Sequence, residues 1–333
     1  MAKSVYIDGR WSDGGDDWFE KTNPATGDTS WDGQASSPEQ VTDAVRSARE
    51  AQLDWGRRPQ HDRTTVLERY AEELTKRSGD ISAAISSDMG KTAWEANGEA
   101  GAMAAKVGIS IKAQVERAGV SFSESAFGST HLTHRPHGVM AVFGPFNFPG
   151  HLPNGHIVPA LLAGNACVFK PSELAPSVAH IMADAFADAG LPEGVLNIVQ
   201  GGRDTGAALL DGDINGLLFT GSAQTGLFFH KHFAGRPEVI LALEMGGNNP
   251  LIVWDPADVD AAADISAQSA FLTTGQRCSC ARRVILPKGQ WGDQVVDAIV
   301  DRAKALRIGD ASDVDAFMGP LVSEHAAQHA TDF

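Results

Sequence analysis

The chain has few cysteines and no long apolar run, and both scarcities exclude classes of protein. Its three cysteines, Cys167, Cys278 and Cys280, are an odd number that provides no disulfide framework of the kind found in small secreted proteins. No apolar stretch approaches the ~20 residues that a membrane-spanning helix needs, and the first residues lack the apolar core of a secretion signal. We therefore expect a cytoplasmic protein without a membrane partner, in which a cysteine with a special role is catalytic.

Basic residues are scarce relative to acidic ones. The 27 Lys and Arg residues face 42 Asp and Glu residues, which gives a formal net charge of −15. Such a charge repels phosphate backbones and anionic surfaces, so nucleic acid is not expected as a partner. The sequence also lacks internal repeats and low-complexity tracts, and its hydrophobic fraction of 43% is typical of a globular protein.

Sequence patterns divide the chain into four segments. Residues 1–120 combine short strands with a long helical arm, and residues 121–137 are polar and rich in Ser, Thr and His. Residues 138–245 alternate short apolar runs with helical segments, and this alternation continues through residues 246–333. We interpret these segments as an arm, a hairpin, a first α/β domain and a second α/β domain that is cut off before it closes a sheet of its own.

The first α/β domain is predicted to be doubly wound. Strands are expected at 139–144, 166–169, 195–199, 216–219 and 239–243, with helices at 154–162, 177–189, 203–210 and 224–233. After residue 246, strands are expected at 250–253 and 283–286, with helices at 259–271 and 291–306. Strands that alternate with helices require a parallel sheet covered on both faces. The sequence therefore predicts an α/β, Rossmann-like fold whose ligands lie beyond the carboxyl ends of the strands.

A cysteine and a glutamate carry the main chemical signal. Cys278 follows Gly-Gln-Arg, and Glu244 lies between an apolar strand and the pair Gly246-Gly247. A thiolate can attack a carbonyl carbon, and a carboxylate can activate water. A single buried cysteine is more often a small hydrophobe, and Glu244 taken alone could be a structural carboxylate. The combination favours the covalent oxidation of an aldehyde.

Four separated runs resemble the NAD(P)-dependent aldehyde dehydrogenase superfamily, in the family's order and spacing. The runs are Pro145-Phe-Asn-Phe-Pro149, Phe169-Lys-Pro-Ser-Glu173, Phe219-Thr-Gly-Ser-Ala-Gln-Thr-Gly226, and the segments around Glu244 and Cys278 taken together. The resemblance covers essentially the whole chain and implies an aldehyde dehydrogenase fold. Family members are longer and carry a later Glu-x-Phe-Gly-Pro run that contacts the nicotinamide ribose. They are homo-oligomers, in which the hairpin segment 121–137 serves assembly.

The resemblance implies a role for three catalytic residues. Cys278 would form a thiohemiacetal, and Asn147 would stabilise its oxyanion together with the backbone N–H of the nucleophile. Glu244 would deprotonate the water that hydrolyses the later thioester. Asn147 could instead serve only to turn its loop. The thiol also needs activation by a helix amino end, a cation or a base, and Arg277 adjoins it in a direction that the sequence leaves open.

The resemblance also implies a set of NAD-binding residues. Lys170 and Glu173 match the pair that binds the adenosine ribose, and a carboxylate there favours NAD over NADP because it repels a 2′-phosphate. They could instead be a solvated ion pair. The segment Gly221–Gly226 lets the backbone approach the pyrophosphate at the start of a helix, although its glycines could serve only a tight turn. The full set is Phe146, Lys170, Glu173, Gly221, Ser222 and Gly226.

The sequence around the site is most similar to the branch of this family that oxidises N-succinylglutamate 5-semialdehyde in arginine breakdown. Gly155 lies where many relatives carry a bulky aromatic residue, and it would leave room for a branched, acylated aldehyde. No metal is expected, because Cys278 with Cys280 lacks further ligands. The pair His325 and His329, spaced for one helix face, lacks a third ligand as well.

Two other functions stay open. One is an acylating enzyme that passes the thioester to coenzyme A, against which Glu244 argues as a water activator. The other is a catalytically silent chain that acts only as a binding module. The shorter second domain is expected to leave an uncovered sheet edge and an exposed apolar face, so assembly of this chain is an open question.

Overall fold

The structure is a computed structural model, and it describes residues 2–254 and 258–332. Its strands are β1 (Val5–Ile7), β2 (Arg10–Ser12), β3 (Trp18–Thr22), β4 (Thr29–Gln34), β5 (Ser121–Ser125), β6 (Gly128–Leu132), β7 (Val139–Phe143), β8 (Ala166–Lys170), β9 (Leu196–Val199), β10 (Gly216–Gly221), β11 (Ile240–Met245), β12 (Asn249–Ile252) and β13 (Ala281–Ile285). Its helices are α1 (Pro38–Arg57), α2 (Gln60–Lys76), α3 (Ser78–Met89), α4 (Ala93–Arg117), α5 (His151–Leu162), α6 (Ser177–Asp188), α7 (Arg203–Leu210), α8 (Ala223–His232), α9 (Val259–Phe271), α10 (Gln290–Ala305) and α11 (Glu324–Thr331).

The main sheet has seven strands in the order β11-β10-β7-β8-β9-β1-β2. The five strands from β11 to β9 run parallel, whereas β1 pairs antiparallel with β9 and with β2. The chain moves outward from β7 through β8 to β9, and then returns to place β10 on the other side of β7. This reversal creates a switch point between β7 and β10, which is where open α/β sheets bind their ligands.

The central strands form because their sequences are apolar on both faces. Every residue of β7 and β8 is buried, as expected for parallel strands that lie between two helical layers. Helices α2, α4, α5 and α6 pack on one face, where the rings of Tyr70 and Phe186 stack with centroids 3.5 Å apart. Helices α1, α7 and α8 contribute to the core on the opposite face. This double covering fixes the sheet on which the site is built.

A second, smaller sheet follows the main one. It pairs β12 with β13 in parallel, and α9 packs against α10 beside it. Large apolar side chains are exposed here, including Ile252 at 65%, Trp254 at 71% and Ile285 at 46%. The exposed apolar surface agrees with the sequence expectation for this region.

The predicted α/β class is confirmed, and the strands and helices expected after residue 138 are all present with ends shifted by up to three residues. One shift matters for chemistry, because β11 extends to Met245 and includes Glu244. Segment 121–137 contains the antiparallel hairpin of β5 and β6, all of whose residues are exposed; its role in assembly stays a prediction. Within the described ranges, no helix has the length and apolar character needed to cross a membrane.

Candidate active site

The candidate site residues lie at the carboxyl edge of the parallel strands. Asn147 lies in the loop after β7, and Lys170 ends β8. Ser222 directly follows β10, and Glu244 is the penultimate residue of β11. Because parallel strands place their carboxyl ends at one edge, the fold collects residues that are far apart in sequence.

Asn147 is joined to the loop that carries Cys278. Its Nδ2 donates a hydrogen bond of 2.7 Å to the carbonyl oxygen of Gln276, two residues before the cysteine. A side-chain amide has two N–H donors, so one remains after this bond. The structure therefore brings together two of the three predicted catalytic residues.

The nucleophile loop presents an exposed thiol and an unpaired amide. Cys278 is exposed, and its backbone N–H donates to no partner within the described residues. Its carbonyl oxygen accepts a 2.6 Å hydrogen bond from Asn249 Nδ2, which also donates to the carbonyl of Cys280 at 3.0 Å. Asn249 begins β12, five residues after Glu244. The position of Cys278 is thus tied to the strand that directly follows the candidate base.

Glu244 shares one face of the main sheet with helix α5. It is the register partner of Thr220 on β10, and Thr220 Oγ1 lies 2.9 Å from Nε2 of His156 on α5. Burial, with a further contribution from the charge of Lys106, lowers the pKa of His156 to about 4. Glu244 itself is exposed at this edge, so its carboxylate is accessible to water as a hydrolytic base requires.

A buried ionic network holds the two catalytic loops, and the sequence reasoning missed it. Phe148, next to Asn147, lies between two cations, with Lys91 Nζ 3.8 Å and the Arg277 guanidinium carbon 5.2 Å from its ring centroid. Arg277 also pairs with the buried Glu95 at 3.3 Å. Cation contacts with an aromatic face are strongest where water is excluded. Arg277 therefore contacts the Asn147 loop, and no contact of its guanidinium with the thiol is present among the described residues.

The same network fixes the start of helix α5. Glu99 pairs with Lys91 at 2.7 Å, with both side chains almost fully buried. Its other oxygen accepts from the backbone N–H groups of Gly150 and His151 at 3.1 Å each. Those N–H groups lie at the amino end of the helix, where a carboxylate satisfies unpaired donors and the helix dipole. Burial lowers the pKa of Lys91, and the charge of Glu99 opposes that shift.

Backbone strain is stored directly before the nucleophile. Thr273 and Thr274 have φ values of 55° and 57°, in the left-handed region that β-branched residues rarely adopt. The hydroxyl of Thr273 donates to Glu95 at 2.7 Å, and that of Thr274 donates to the carbonyl of Gly319 at 2.8 Å. Such conformations persist where surrounding contacts hold them, and they cluster at functional sites.

Two expectations about thiol activation can be compared with this geometry. Cys278 lies in a turn between a 3₁₀ segment, Leu272–Gly275, and β13, so no helix begins at it. Arg277, the adjoining cation, is directed to Glu95 and Phe148. Activation of the thiol by a base stays a prediction, and Glu244 was predicted as the base for water rather than for the thiol.

The sequence contains a weak signal for the buried carboxylates Glu95 and Glu99. Glu95, Glu99 and Met103 lie four residues apart on the buried face of α4, so two carboxylates interrupt an apolar stripe. A carboxylate in such a stripe needs a buried partner. Arg277 could not be identified as a partner from sequence, because it lies 182 residues from Glu95. Lys91 lies only eight residues before Glu99, but it precedes helix α4 and has no helical spacing to indicate the pair.

Lys170 and Glu173 form the ion pair that the sequence suggested. Lys170 Nζ lies 3.5 Å from Glu173 Oε2 and donates to the carbonyl of Pro171 at 3.0 Å. Lys170 is buried, and burial lowers its pKa against the attraction of Glu173. The Glu173 side chain is half exposed and lines a surface cleft that also includes Gly202 and Thr205. Its carboxylate is accessible to a ligand hydroxyl, which is the arrangement a ribose site needs.

The turn after β10 has the form of a phosphate-binding helix start. Ser222 is the N-cap of α8, and its Oγ accepts from the backbone N–H of Thr225 at 3.1 Å. A β-carbon added to Gly226 would lie 2.3 Å from the sulfur of Met245, and one added to Gly221 would lie 2.4 Å from the ring of Phe219. A side chain at either position would therefore displace Met245 or Phe219, whatever ligand the turn binds.

Phe146 and Gly155 are the remaining predicted residues, and each contacts other parts of the protein. Phe146 packs against a small cluster of Met89, Ala175 and Val322, so its predicted contact with a cofactor stays a prediction. Gly155 faces the side chain of Lys106, whose Cε would be 3.2 Å from an added β-carbon.

The other cysteines and the histidine pair do not join the site. Cys167 is buried in β8, where burial raises the pKa of its thiol, and Cys280 is buried as well. His325 and His329 are both exposed on α11. Among the described residues, no group of three metal-ligating side chains is present.

The geometry combines the exposed thiol of Cys278, the Asn147 amide that contacts its loop, and the carboxylate of Glu244 on β11. These groups accompany the carboxyl edge of a parallel sheet, where α/β folds bind nucleotides. The sequence profile of the aldehyde dehydrogenase family matches residues 11–333. The chain therefore belongs to the aldehyde dehydrogenase family, as the motifs predicted.

Three individual proteins show how similar the chain is to members of this family. The chain is 51% identical over 334 residues to N-succinylglutamate 5-semialdehyde dehydrogenase 2 of Caulobacter vibrioides, with 100% of this chain and 69% of the relative covered. A Mycobacterium tuberculosis aldehyde dehydrogenase complexed with NAD⁺ superposes with a TM-score of 0.92 at 29% identity, covering 98% of this chain and 68% of that one. An NADP-dependent glyceraldehyde-3-phosphate dehydrogenase of Bacillus halodurans, complexed with NADP, gives 0.91 at 30%, covering 100% and 71%.

Proposed function

We propose that the protein oxidises N-succinylglutamate 5-semialdehyde to N-succinylglutamate with NAD. The reaction type is supported by one observation: Asn147 donates a hydrogen bond to Gln276, in the loop that carries the exposed Cys278. The substrate is supported by the 51% identity to the Caulobacter enzyme of that name. The proposal therefore combines local geometry with a similarity that extends over the whole chain.

Cys278 begins the reaction. Its thiolate attacks the aldehyde carbon, the carbon–sulfur bond forms, and the carbonyl oxygen becomes an alkoxide. The free N–H of Cys278 and the second amide hydrogen of Asn147 are the two donors for this oxygen. Donors that are positioned before the reaction contribute more than donors in water, because they need no reorganisation as charge develops.

The site residues fit a bound NAD on its adenosine side and at its pyrophosphate. The half-exposed Glu173 carboxylate can accept from a ribose hydroxyl, while its negative charge repels a 2′-phosphate. The amino end of α8, after Ser222, offers backbone N–H groups to a phosphate. When bound, NAD supplies the acceptor for the hydride that leaves the thiohemiacetal carbon.

Glu244 completes the turnover. Its carboxylate takes a proton from water, the resulting hydroxide adds to the thioester carbon, and the carbon–sulfur bond breaks to release the acid and the Cys278 thiolate. Its accessible position at the end of β11 is compatible with this water. A base that activates water favours hydrolysis over transfer of the acyl group to coenzyme A.

Absorbance of NADH tests the proposal. The 333-residue chain is supplied with N-succinylglutamate 5-semialdehyde and NAD, in parallel with the Cys278→Ala and Cys280→Ala variants. We expect turnover in the wild type and in Cys280→Ala, none in Cys278→Ala, and a lower rate when NADP replaces NAD. Added coenzyme A should not change the product. Equal rates in the wild type and Cys278→Ala would contradict the mechanism, and folded wild-type chain without turnover would contradict the proposed function.

A further inference from the structure

Lys106 lies beside Gly155, at a point where helix α5 has no side chain. Lys106 lies on α4, and α4 packs along α5, which carries Gly155. A β-carbon built on Gly155 would be 3.2 Å from Cε and 3.7 Å from Nζ of Lys106. A β-carbon at residue 155 would therefore press on the Lys106 side chain, which lies against this turn of α5.

This ammonium group lies on the side of the sheet that holds the catalytic residues. Burial lowers the pKa of both His151 and His156, and the positive charge of Lys106 lowers both further. His156 contacts Thr220, the register partner of Glu244. Lys106 is thus within electrostatic reach of two histidines of α5, and α5 begins four residues after Asn147.

The charge of Lys106 has no partner of its own. Within residues 2–254 and 258–332, no carboxylate forms an ion pair with it and its Nζ donates no hydrogen bond. The two buried carboxylates of the same helix are already engaged, Glu95 by Arg277 and Glu99 by Lys91. A partly buried ammonium without a counter-charge is costly, in a chain whose net charge of −15 offers many carboxylates elsewhere.

We propose that Lys106 binds a carboxylate of the substrate and selects acylated, anionic aldehydes over neutral ones. This inference rests on the proposed function for the identity of the aldehyde. N-succinylglutamate 5-semialdehyde has two carboxylates, both separated from the aldehyde carbon by several bonds. Gly155 leaves room for the Lys106 side chain, and Lys106 provides the positive charge. Lys106 is a specificity residue in this arrangement and takes no part in the bond changes at the thiol.

A comparison of two aldehydes tests the selectivity, and calorimetry tests carboxylate binding without turnover. We compare Lys106→Ala with the wild type for kcat/KM on N-succinylglutamate 5-semialdehyde and on hexanal, and measure N-succinylglutamate affinity by calorimetry. Losing one charge-assisted contact should weaken N-succinylglutamate binding roughly tenfold and lower the anionic-to-neutral kcat/KM ratio by a similar factor. Lys106→Arg should retain most of the preference, because it keeps the charge.

Lys112→Ala is the matched control. Lys112 lies on the same helix with its side chain 77% exposed and pairs with Glu116, so its removal changes the net charge equally without changing the site. We expect wild-type N-succinylglutamate affinity in this variant. Equal affinity in Lys106→Ala and the wild type, or an equal loss in Lys112→Ala, would overturn the inference. A chain that binds N-succinylglutamate through Lys106 but oxidises no aldehyde would refute the proposed function and leave the carboxylate site standing.

Discussion

At the scale of single residues, the chemistry depends on where three polar side chains are directed. Asn147 donates to Gln276 in the loop that carries Cys278. Glu244 is the penultimate residue of β11, and Cys278 is exposed. Arg277 precedes Cys278 in the chain, but its guanidinium is directed to Glu95 and not to the thiol. Adjacent side chains in a turn diverge, so chain proximity does not establish a contact.

Replacing Asn147 with alanine should slow the chemical step. The variant loses the candidate oxyanion donor, and the loss of one such donor typically lowers kcat by about 100-fold or more. The measurement is the single-turnover rate of NADH formation at saturating aldehyde. Alkylation of Cys278 by iodoacetamide serves as the control for loop position, because it does not use the oxyanion site. A fall in both rates by the same factor would indicate a structural role for Asn147 instead.

At the scale of elements, helix α4 connects parts of the site that the sheet does not join. Its buried carboxylates Glu95 and Glu99 reach the Cys278 loop and the amino end of α5, respectively. The strained turn at Thr273 depends on the first of these contacts. The helix therefore contacts both the loop of Cys278 and the helix start that follows Asn147, the predicted oxyanion donor.

Changing Glu95 to glutamine should loosen the nucleophile loop. Glutamine can still accept from the Thr273 hydroxyl, but it leaves the partly buried Arg277 without its counter-charge. We expect the free energy of unfolding to fall by about 2 kcal/mol, kcat to fall, and KM for NAD to stay near the wild-type value. The alkylation rate of Cys278 should change as well, which a purely global loss of stability would not produce under native conditions.

The matched control is Glu116→Gln on the same helix. Its carboxylate is 57% exposed and lies 3.8 Å from Lys112, and an exposed pair of this kind contributes little. Wild-type kcat is expected in this variant. If Glu95→Gln also retained wild-type kcat and alkylation rate, the positioning role of the network would be wrong.

At the scale of the whole molecule, two helical layers around a parallel sheet make burial the dominant influence on the charges inside it. Burial lowers the pKa of Lys91, Lys170 and His156, in each case by disfavouring the charged form. The interior is thus a low-dielectric region in which each ionic group needs a defined partner. His156 is the group whose shift lies in an accessible pH range.

Stability should fall as pH decreases from 6.5 to about 4 because of His156. Its folded pKa of about 4 lies below the ordinary value of 6.5, so the unfolded chain binds more protons in this window and gains stability relative to the fold. The full contribution, up to roughly 3 kcal/mol, is present above pH 6.5 and lost at the acid end. Urea unfolding at pH 7 and pH 5 measures it.

His156→Gln isolates this contribution from the other titrating groups. Glutamine can keep a hydrogen bond to Thr220 without titrating, so the loss of stability between pH 7 and pH 5 should be smaller in the variant. His325→Gln, at an exposed residue of α11, should behave as the wild type. An identical pH dependence in His156→Gln and the wild type would show that folding does not lower the pKa of His156, which would contradict the prediction.

The sequence by itself determined the fold class, the strand and helix order after residue 138, and the family. These follow from local signals, namely the apolar runs of β7 and β8, the alternation with helices, and motifs whose residues are adjacent in the chain. The predicted roles of Cys278, Glu244 and Asn147, and of the NAD-binding residues, stay predictions that the geometry supports.

Only the tertiary structure decided which distant groups meet. Several contacts join segments separated by about 50 to 180 residues. They are the contacts of Lys91 and Arg277 with Phe148, the pair of Glu95 with Arg277, and the contact of Lys106 with Gly155. Sequence patterns report local periodicity and composition, whereas a buried ion pair depends on the direction of each side chain after the helices pack on the sheet. That packing, and not any motif, brings the Asn147 loop into contact with the loop that carries Cys278.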